Sequence, residues 1–211
     1  MVRVRVGLAL LFVVLPPLLA LAAPPSLSPG DLSRLNRGEI VFRTELPSGE
    51  DASTGNGGTA VALLEADVET VWKVLTDFAH YAGLFPRLTG SEVMRQEGPH
   101  ALVQFRVSVG PFNFRFFVAH VVSWQERQIR WRLDRTQAND LFRDTWGYWR
   151  LEPTSGGRVL VTYAMGARTI LPGFLTNGSE RESVVKTVAA LKAQVERARG
   201  VPANRPTLLA D

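Results

Sequence analysis

Three histidines, His80, His100 and His120, are the residues of this 211-residue chain best suited to acid–base or metal chemistry. A metal centre needs imidazole, thiolate or carboxylate groups at short, recurring spacings. The chain has no cysteine and its histidines fall in three separate segments, so no metal and no cofactor is expected. His120 alone lies on the inward parity of a strand pattern. There an imidazole can orient a ligand oxygen or serve as general acid or base. The plainer reading is a hydrogen-bonded or rim histidine. No Gly-x-Ser-x-Gly nucleophile turn is present, and the glycine cluster Gly55–Gly58 runs into a strand instead of a helix N-terminus, which argues against phosphate cradling.

The aromatic residues form the larger constellation. Phe105, Phe114, Phe116, Trp131, Trp149 and Tyr163 share the inward parity of successive strand patterns, and Tyr81 and Phe85 come from helical turns before them. Such a set either packs a core or walls an apolar pocket in which indole N–H and phenol O–H are the few polar handles. The candidate ligand-binding set is Tyr81, Phe85, Phe105, Phe116, Trp131, Trp149 and Tyr163, closed by Phe174, Val184 and Val188 of the last helix.

These residues must be positioned by a recognisable order of elements. Glu39–Leu46 alternates as a first strand, 48–58 is a glycine-rich loop, and Thr59–Glu65 is a second strand. Asp67 stands where an N-cap belongs, before Val68, Val71, Trp72 and Leu75 at helical spacing. Asp77 opens a second short helix that Pro86 ends. Strand patterns then occupy 91–96, 101–109, 112–123, 128–134 and 144–152, with Gly110-Pro111 and Ser155-Gly156-Gly157 as turns before a last strand from Val159. Connections this short imply an antiparallel meander. The stripe Val184, Val188, Leu191 and Val195 marks a long amphipathic helix over 174–199, expected to face Trp131 and Trp149. The fold class is therefore α+β, a curved antiparallel sheet wrapped around a long C-terminal helix, with two short helices after an early strand.

The N-terminus reads as an address. Arg3 and Arg5 precede the apolar run Gly7–Leu15, Pro16-Pro17 breaks it, and Ala20-Leu21-Ala22 supplies small residues for cleavage. The expected organisation is a signal peptide over 1–23, a leader over 24–57 holding the first strand and the glycine loop, a domain over 58–200 and a tail over 201–211. Export, to the periplasm if the source is Gram-negative, follows from the signal. Lys and Arg number 24 against 20 Asp and Glu; without Arg3 and Arg5 the balance is 22 against 20. That small excess, with export, argues against a nucleic-acid partner. Arg106, Arg115, Arg130, Arg132 and Arg150 take the outward parity, with Asp134 and Glu152 as candidate cross-strand partners. They read as a solvated face, or else as peripheral contacts to anionic lipid headgroups.

Three stretches resemble a known superfamily. They are Ala66 to Leu75, Asp77-Phe78 through Tyr81 to Phe85-Pro86, and Gly147 to Pro153 followed by Gly156-Gly157 and Val161-Thr162-Tyr163. In this order, with the long last helix, they resemble the START-like (SRPBCC, helix-grip) superfamily, and within it the polyketide cyclase/dehydrase and coenzyme Q-binding (Coq10-like) group. Where that group usually opens its first helix with proline, this chain has Asp67 or Val68. The resemblance implies an apolar ligand, a hydrophobic small molecule or lipid, held between sheet and last helix. Only some members are enzymes. If this chain is one, the resemblance makes His120, Tyr163 and Arg143 the candidates to polarise or deprotonate a polyketide-like substrate. A structural or interaction protein with a filled core is the third expectation.

Overall fold

In the computed structural model the described residues are 26–48, 55–170 and 180–200. The expected signal segment, the expected tail and Phe174 lie outside them.

Eight strands form one antiparallel sheet: β1 (Val41–Arg43), β2 (Asn56–Leu64), β3 (Leu88–Glu97), β4 (His100–Val109), β5 (Phe112–Ser123), β6 (Gln128–Leu133), β7 (Phe142–Thr154) and β8 (Arg158–Thr169). Their order is β1-β2-β8-β7-β6-β5-β4-β3. From β3 to β8 every neighbour in sequence is a neighbour in space, as the short turns require. β2 pairs with β8, the last strand, through Ala60↔Tyr163 and Ala62↔Val161, and β1 forms the edge beyond it.

Three helices, α1 (Pro29–Asn36), α2 (Val68–Thr76) and α3 (Glu180–Ala198), complete the fold, with a 3-10 turn at Phe78–His80. Asp67 caps α2 as expected: Thr70 N–H donates to its Oδ1 at 2.7 Å, and Thr70 Oγ1 donates to Oδ2 at 2.9 Å. Val71 and Leu75 are fully buried beneath that helix. Within α3 the expected stripe holds, since Val184, Val188, Leu191 and Val195 are all buried.

The chain upstream of residue 58 is more structured than a leader. α1 is a two-turn helix within it. Ser28 accepts from Asp31 N–H, and the Asp31 carboxylate accepts from Ser28 N–H at 3.0 Å, a reciprocal cap with proline at the first helical position. Leu35 then packs with Val41 and Val61 in a second, outer core. β1 is an integral strand of the sheet, and β2 begins at Asn56. A boundary at 58 therefore cuts through β2.

The outward face of β7 departs from alternation as well. Trp146 and Tyr148 take the outward parity of β7, yet both are buried. Trp146 lies flat over Gly166, where an added Cβ would sit 2.5 Å from the indole, and its Nε1–H donates to Pro47 O at 2.9 Å. The N-terminal segment thus makes this part of the sheet two-sided.

Candidate functional site

The inner face of the sheet is not completely filled. A cavity of about 170 Å³ lies between β4–β8, the segment after α2 and the start of α3. Its volume is close to the ~150 Å³ of an apolar cavity known to hold one benzene ring.

Seven of the expected residues meet there. Tyr81 and Phe85 enter from the segment after α2, Phe105 and Phe116 from β4 and β5, and Trp131, Trp149 and Tyr163 from β6, β7 and β8. The rings are in mutual contact. Tyr163 stacks on Trp149 at 4.2 Å between centroids and on Trp131 at 5.6 Å, and Tyr81 stacks on Phe105 at 6.1 Å. Trp131 reaches Tyr163 across β7 because position 147 is glycine. A Cβ on Gly147 would lie 2.3 Å from the Trp131 ring. The missing side chain lets the indole lie along the sheet.

Two expected wall residues are elsewhere. Val184 and Val188 are buried in the core and do not line the cavity; Ser183 is the residue of α3 that does. α3 packs chiefly against β2, whose inner face carries the small residues Ala60 and Ala62. Small side chains let the helix settle onto that strand, away from Trp131 and Trp149. The space left over lies on the opposite side, beneath β4–β7. Leu141, Phe142, Thr145 and Met165 also line the wall, and of these parity alone does not reveal Leu141 or Phe142. Met165 and Thr145 do share the parity of Tyr163 and Trp149, but Phe142 sits at a bulge in the β7–β8 register.

The polar groups of the wall are nearly all engaged. Tyr81 O–H donates to Leu75 O, Thr145 O–H donates to Gly166 O at 3.2 Å, and the Tyr163 hydroxyl lies near that of Thr187 on α3, which itself donates to Ser183 O at 2.9 Å. Burial pushes both phenols well above the ordinary tyrosine range, so both stay protonated. His120 differs. It is 4% exposed, packed 4.5 Å from the Phe78 ring, and its Nδ1 is buried without a hydrogen-bond partner. Burial lowers its pKa from 6.5 to about 4, against the opposing pull of the Val118 and Ala101 backbone, and the ring is neutral at pH 7.

Among the described residues no Asp, Glu, Lys or Arg lines this cavity. Arg143, the third catalytic candidate, is exposed on the bulge of β7 and takes no part in the wall. Nor do the outward charges pair as expected. Asp144, not Asp134, is the carboxylate that Arg132 meets; it is fully buried, and its Oδ2 accepts from Arg135 at 2.8 Å, Arg132 at 3.1 Å and Arg168 at 3.4 Å. Asp134 instead holds Thr136, and Glu152 pairs with Arg150 along the same strand at 3.2 Å. Among the described residues no cluster of histidine and carboxylate groups suits a metal ion.

The sequence profile of the family described as polyketide cyclase / dehydrase and lipid transport matches residues 64–192, from the end of β2 into α3. No curated protein sequence matches the chain. Solved structures show the fold at low identity. A STAR-related lipid transfer protein from Xanthomonas axonopodis superposes with a TM-score of 0.60 at 18% identity, covering 74% of this chain and 98% of that one. The Zhui aromatase/cyclase from Streptomyces sp. R1128 superposes with a TM-score of 0.55 at 20% identity, covering 68% and 97%. A START superfamily protein from Mycobacterium smegmatis gives 0.55 at 19% identity, covering 66% and 96%.

Proposed function

The chain belongs to the polyketide cyclase / dehydrase and lipid transport family, and we propose that within it this protein binds and carries a neutral apolar molecule. One observation carries the reading: the cavity is walled by aromatic and aliphatic side chains, and none of the described residues lining it is charged at pH 7. A charged ligand would lose its hydration there with nothing to replace it, whereas an uncharged ring or chain loses little. The free polar atoms suit one hydroxyl or carbonyl on such a ligand. The same features oppose catalysis. A base whose conjugate acid has a pKa of about 4 is too weak to lower the barrier to proton abstraction near neutrality, and no charge stabilises a developing enolate.

The protein is further proposed to act after export, with residues 1–23 removed as the signal segment and the structured unit starting downstream of Pro24. The basic n-region, the short apolar run broken by Pro16-Pro17, and the Ala20-Leu21-Ala22 site support it. N-terminal sequencing of the protein recovered from cell fractions tests this: an intact Met1 in the cytoplasmic fraction would refute it.

Binding is tested by extracting natively purified protein into organic solvent for mass spectrometry, and by thermal shift with fatty acids, quinones and naphthols. The expected result is an apolar extract and a rise in midpoint that Val118→Phe, which fills the cavity, abolishes without unfolding the protein. Absence of both extract and shift, or binding unaffected by Val118→Phe, would overturn the proposal. A cyclase-like role is the second reading, favoured only by the unpartnered His120. It requires that His120→Gln abolish turnover of a linear polycarbonyl substrate while leaving its binding intact.

A further inference from the structure

The strand that carries Phe116 and His120 into the cavity overshoots it. Phe112, Phe114 and Phe116 alternate on one face of β5, yet exposure rises along them: Phe116 is 8% exposed, Phe114 is half-buried, and Phe112 is 60% exposed. The tip is a tight one. Val109 pairs with Phe112, so the turn is Gly110-Pro111 alone, and Gly110 adopts φ +59°, the positive angle that suits the first position of a two-residue hairpin. Phe112 is therefore held out on a rigid hairpin, not on a loose loop.

A second exposed apolar residue stands at the same end. Ile170, just past β8, is 48% exposed, and its N–H donates to Leu141 O at 3.0 Å. Leu141 and Phe142 wall the cavity, as does Val107, the partner of Phe114 in the β4–β5 ladder. The two protruding residues thus flank the end of the cavity where β4 finishes, β5 and β7 begin and β8 finishes.

Basic side chains surround this end. Arg115 is exposed on the outward face of β5, and Arg143 is exposed beside Phe142; neither has an ion-pair partner among the described residues. Arg135, 53% exposed, shares its one carboxylate, Asp144, with Arg132 and Arg168. Asp134 and Asp140 are the acidic residues of the connecting segment, so arginines outnumber aspartates here.

From this pattern we propose that the Phe112–Ile170 end is a docking face for an anionic lipid surface. Phe112 and Ile170 enter the boundary between headgroups and acyl chains, and Arg115 and Arg143 contact the headgroups. Two separate apolar protrusions ringed by guanidinium groups match a deformable, negatively charged surface. A protein partner would instead call for a closely packed central cluster, poor in charge, within a polar rim. No helix among the described residues is long and apolar enough to cross a membrane, so the contact is peripheral. Docking in this orientation turns the cavity end towards the bilayer. Its use in ligand exchange rests on the ligand-binding reading above, but the docking itself does not.

The test uses the protein in the form that cells produce, co-sedimented with vesicles of phosphatidylcholine alone and of equimolar phosphatidylcholine and phosphatidylglycerol. Tighter binding to the anionic vesicles, weakened by high salt, is expected. Phe112→Ser is expected to weaken binding about tenfold or more, the loss that follows from withdrawing an aromatic ring from the interface. Arg115→Ala and Arg143→Ala are each expected to weaken it roughly fivefold. Trp124→Ser, an exposed aromatic in the β5–β6 turn (48% exposed), is expected to leave it unchanged. Unaltered thermal midpoints show that the exposed variants fold. Equal binding to both vesicles, or wild-type binding by Phe112→Ser and both arginine variants, overturns the proposal. So does capture of a protein by cross-linking at position 112 with no vesicle binding. Since vesicle binding is read without ligand, its failure leaves the cavity assignment standing, and failure of ligand binding leaves the docking face standing.

Discussion

Lowering the pH from 7 towards 5 is expected to weaken the fold through one side chain, His120. Burial lowers its folded pKa to about 4 against an unfolded value of 6.5. Between those values the unfolded chain takes up a proton that the folded chain does not, so stability rises with pH across the window and is lost as pH falls through it. Each pH unit of such a difference is worth about 1.4 kcal/mol, giving a loss of about 2 kcal/mol between pH 6.5 and about 5. For a chain of this size that lowers the midpoint by roughly 4–8 °C. Asp31, Glu39, Asp67 and Glu182 have pKa values below the ordinary carboxylate range, and their contributions are lost only in more acidic solution. Urea unfolding of wild type and His120→Leu across this range isolates the ring from every other titrating group. The variant is expected to lose most of the slope, and at pH 7 to be at least as stable as wild type, because it removes a buried nitrogen that has no partner. Parallel slopes for the two proteins would refute the neutral, buried assignment of His120 and with it the claim that the cavity is free of charge.

Three further outcomes follow from packing and pairing. Gly147→Ala sets a methyl 2.3 Å from both the Trp131 ring and Ala164 O; it is expected to cost about 1–3 kcal/mol and to move Trp131 into the cavity, read as altered tryptophan fluorescence and loss of the ligand-induced thermal shift. Leu191→Ala, at a fully buried position of α3, is expected to destabilise the fold by about 2–5 kcal/mol in denaturant unfolding. Asp144→Asn removes the carboxylate shared by three partly exposed arginines and is expected to cost about 2–3 kcal/mol, less at high salt, without changing ligand affinity.

Much of the fold is legible in local patterns because each pattern has a local cause. Alternation sorts Val103 and Phe105, Ile129 and Trp131, and Trp149 and Leu151 onto the inner face, because successive side chains of a strand point to opposite sides. Asp67 announces α2 because a carboxylate there satisfies Thr70 N–H. α1 is signalled as well, in Ser28-Pro29 followed by Asp31, but short polar segments are easily read as loops. The burial of Trp146 and Tyr148 has no such local cause. For Trp146 it depends on Pro47 and Gly55, which lie far away along the chain and cover a face that alternation marks as outward.

The site divides in the same way. Residue types and parity by themselves determined that Tyr81, Phe105, Phe116, Trp131, Trp149 and Tyr163 share one interior, with His120 among them. Tertiary structure alone decided that this interior keeps a gap. Ala60 and Ala62 let α3 settle onto β2, Gly147 lets Trp131 lie flat, and burial leaves the His120 Nδ1 without a hydrogen-bond partner. Periodicity specifies which face a side chain takes. Whether that face is filled depends on the volumes that strands and helices distant in sequence bring against it.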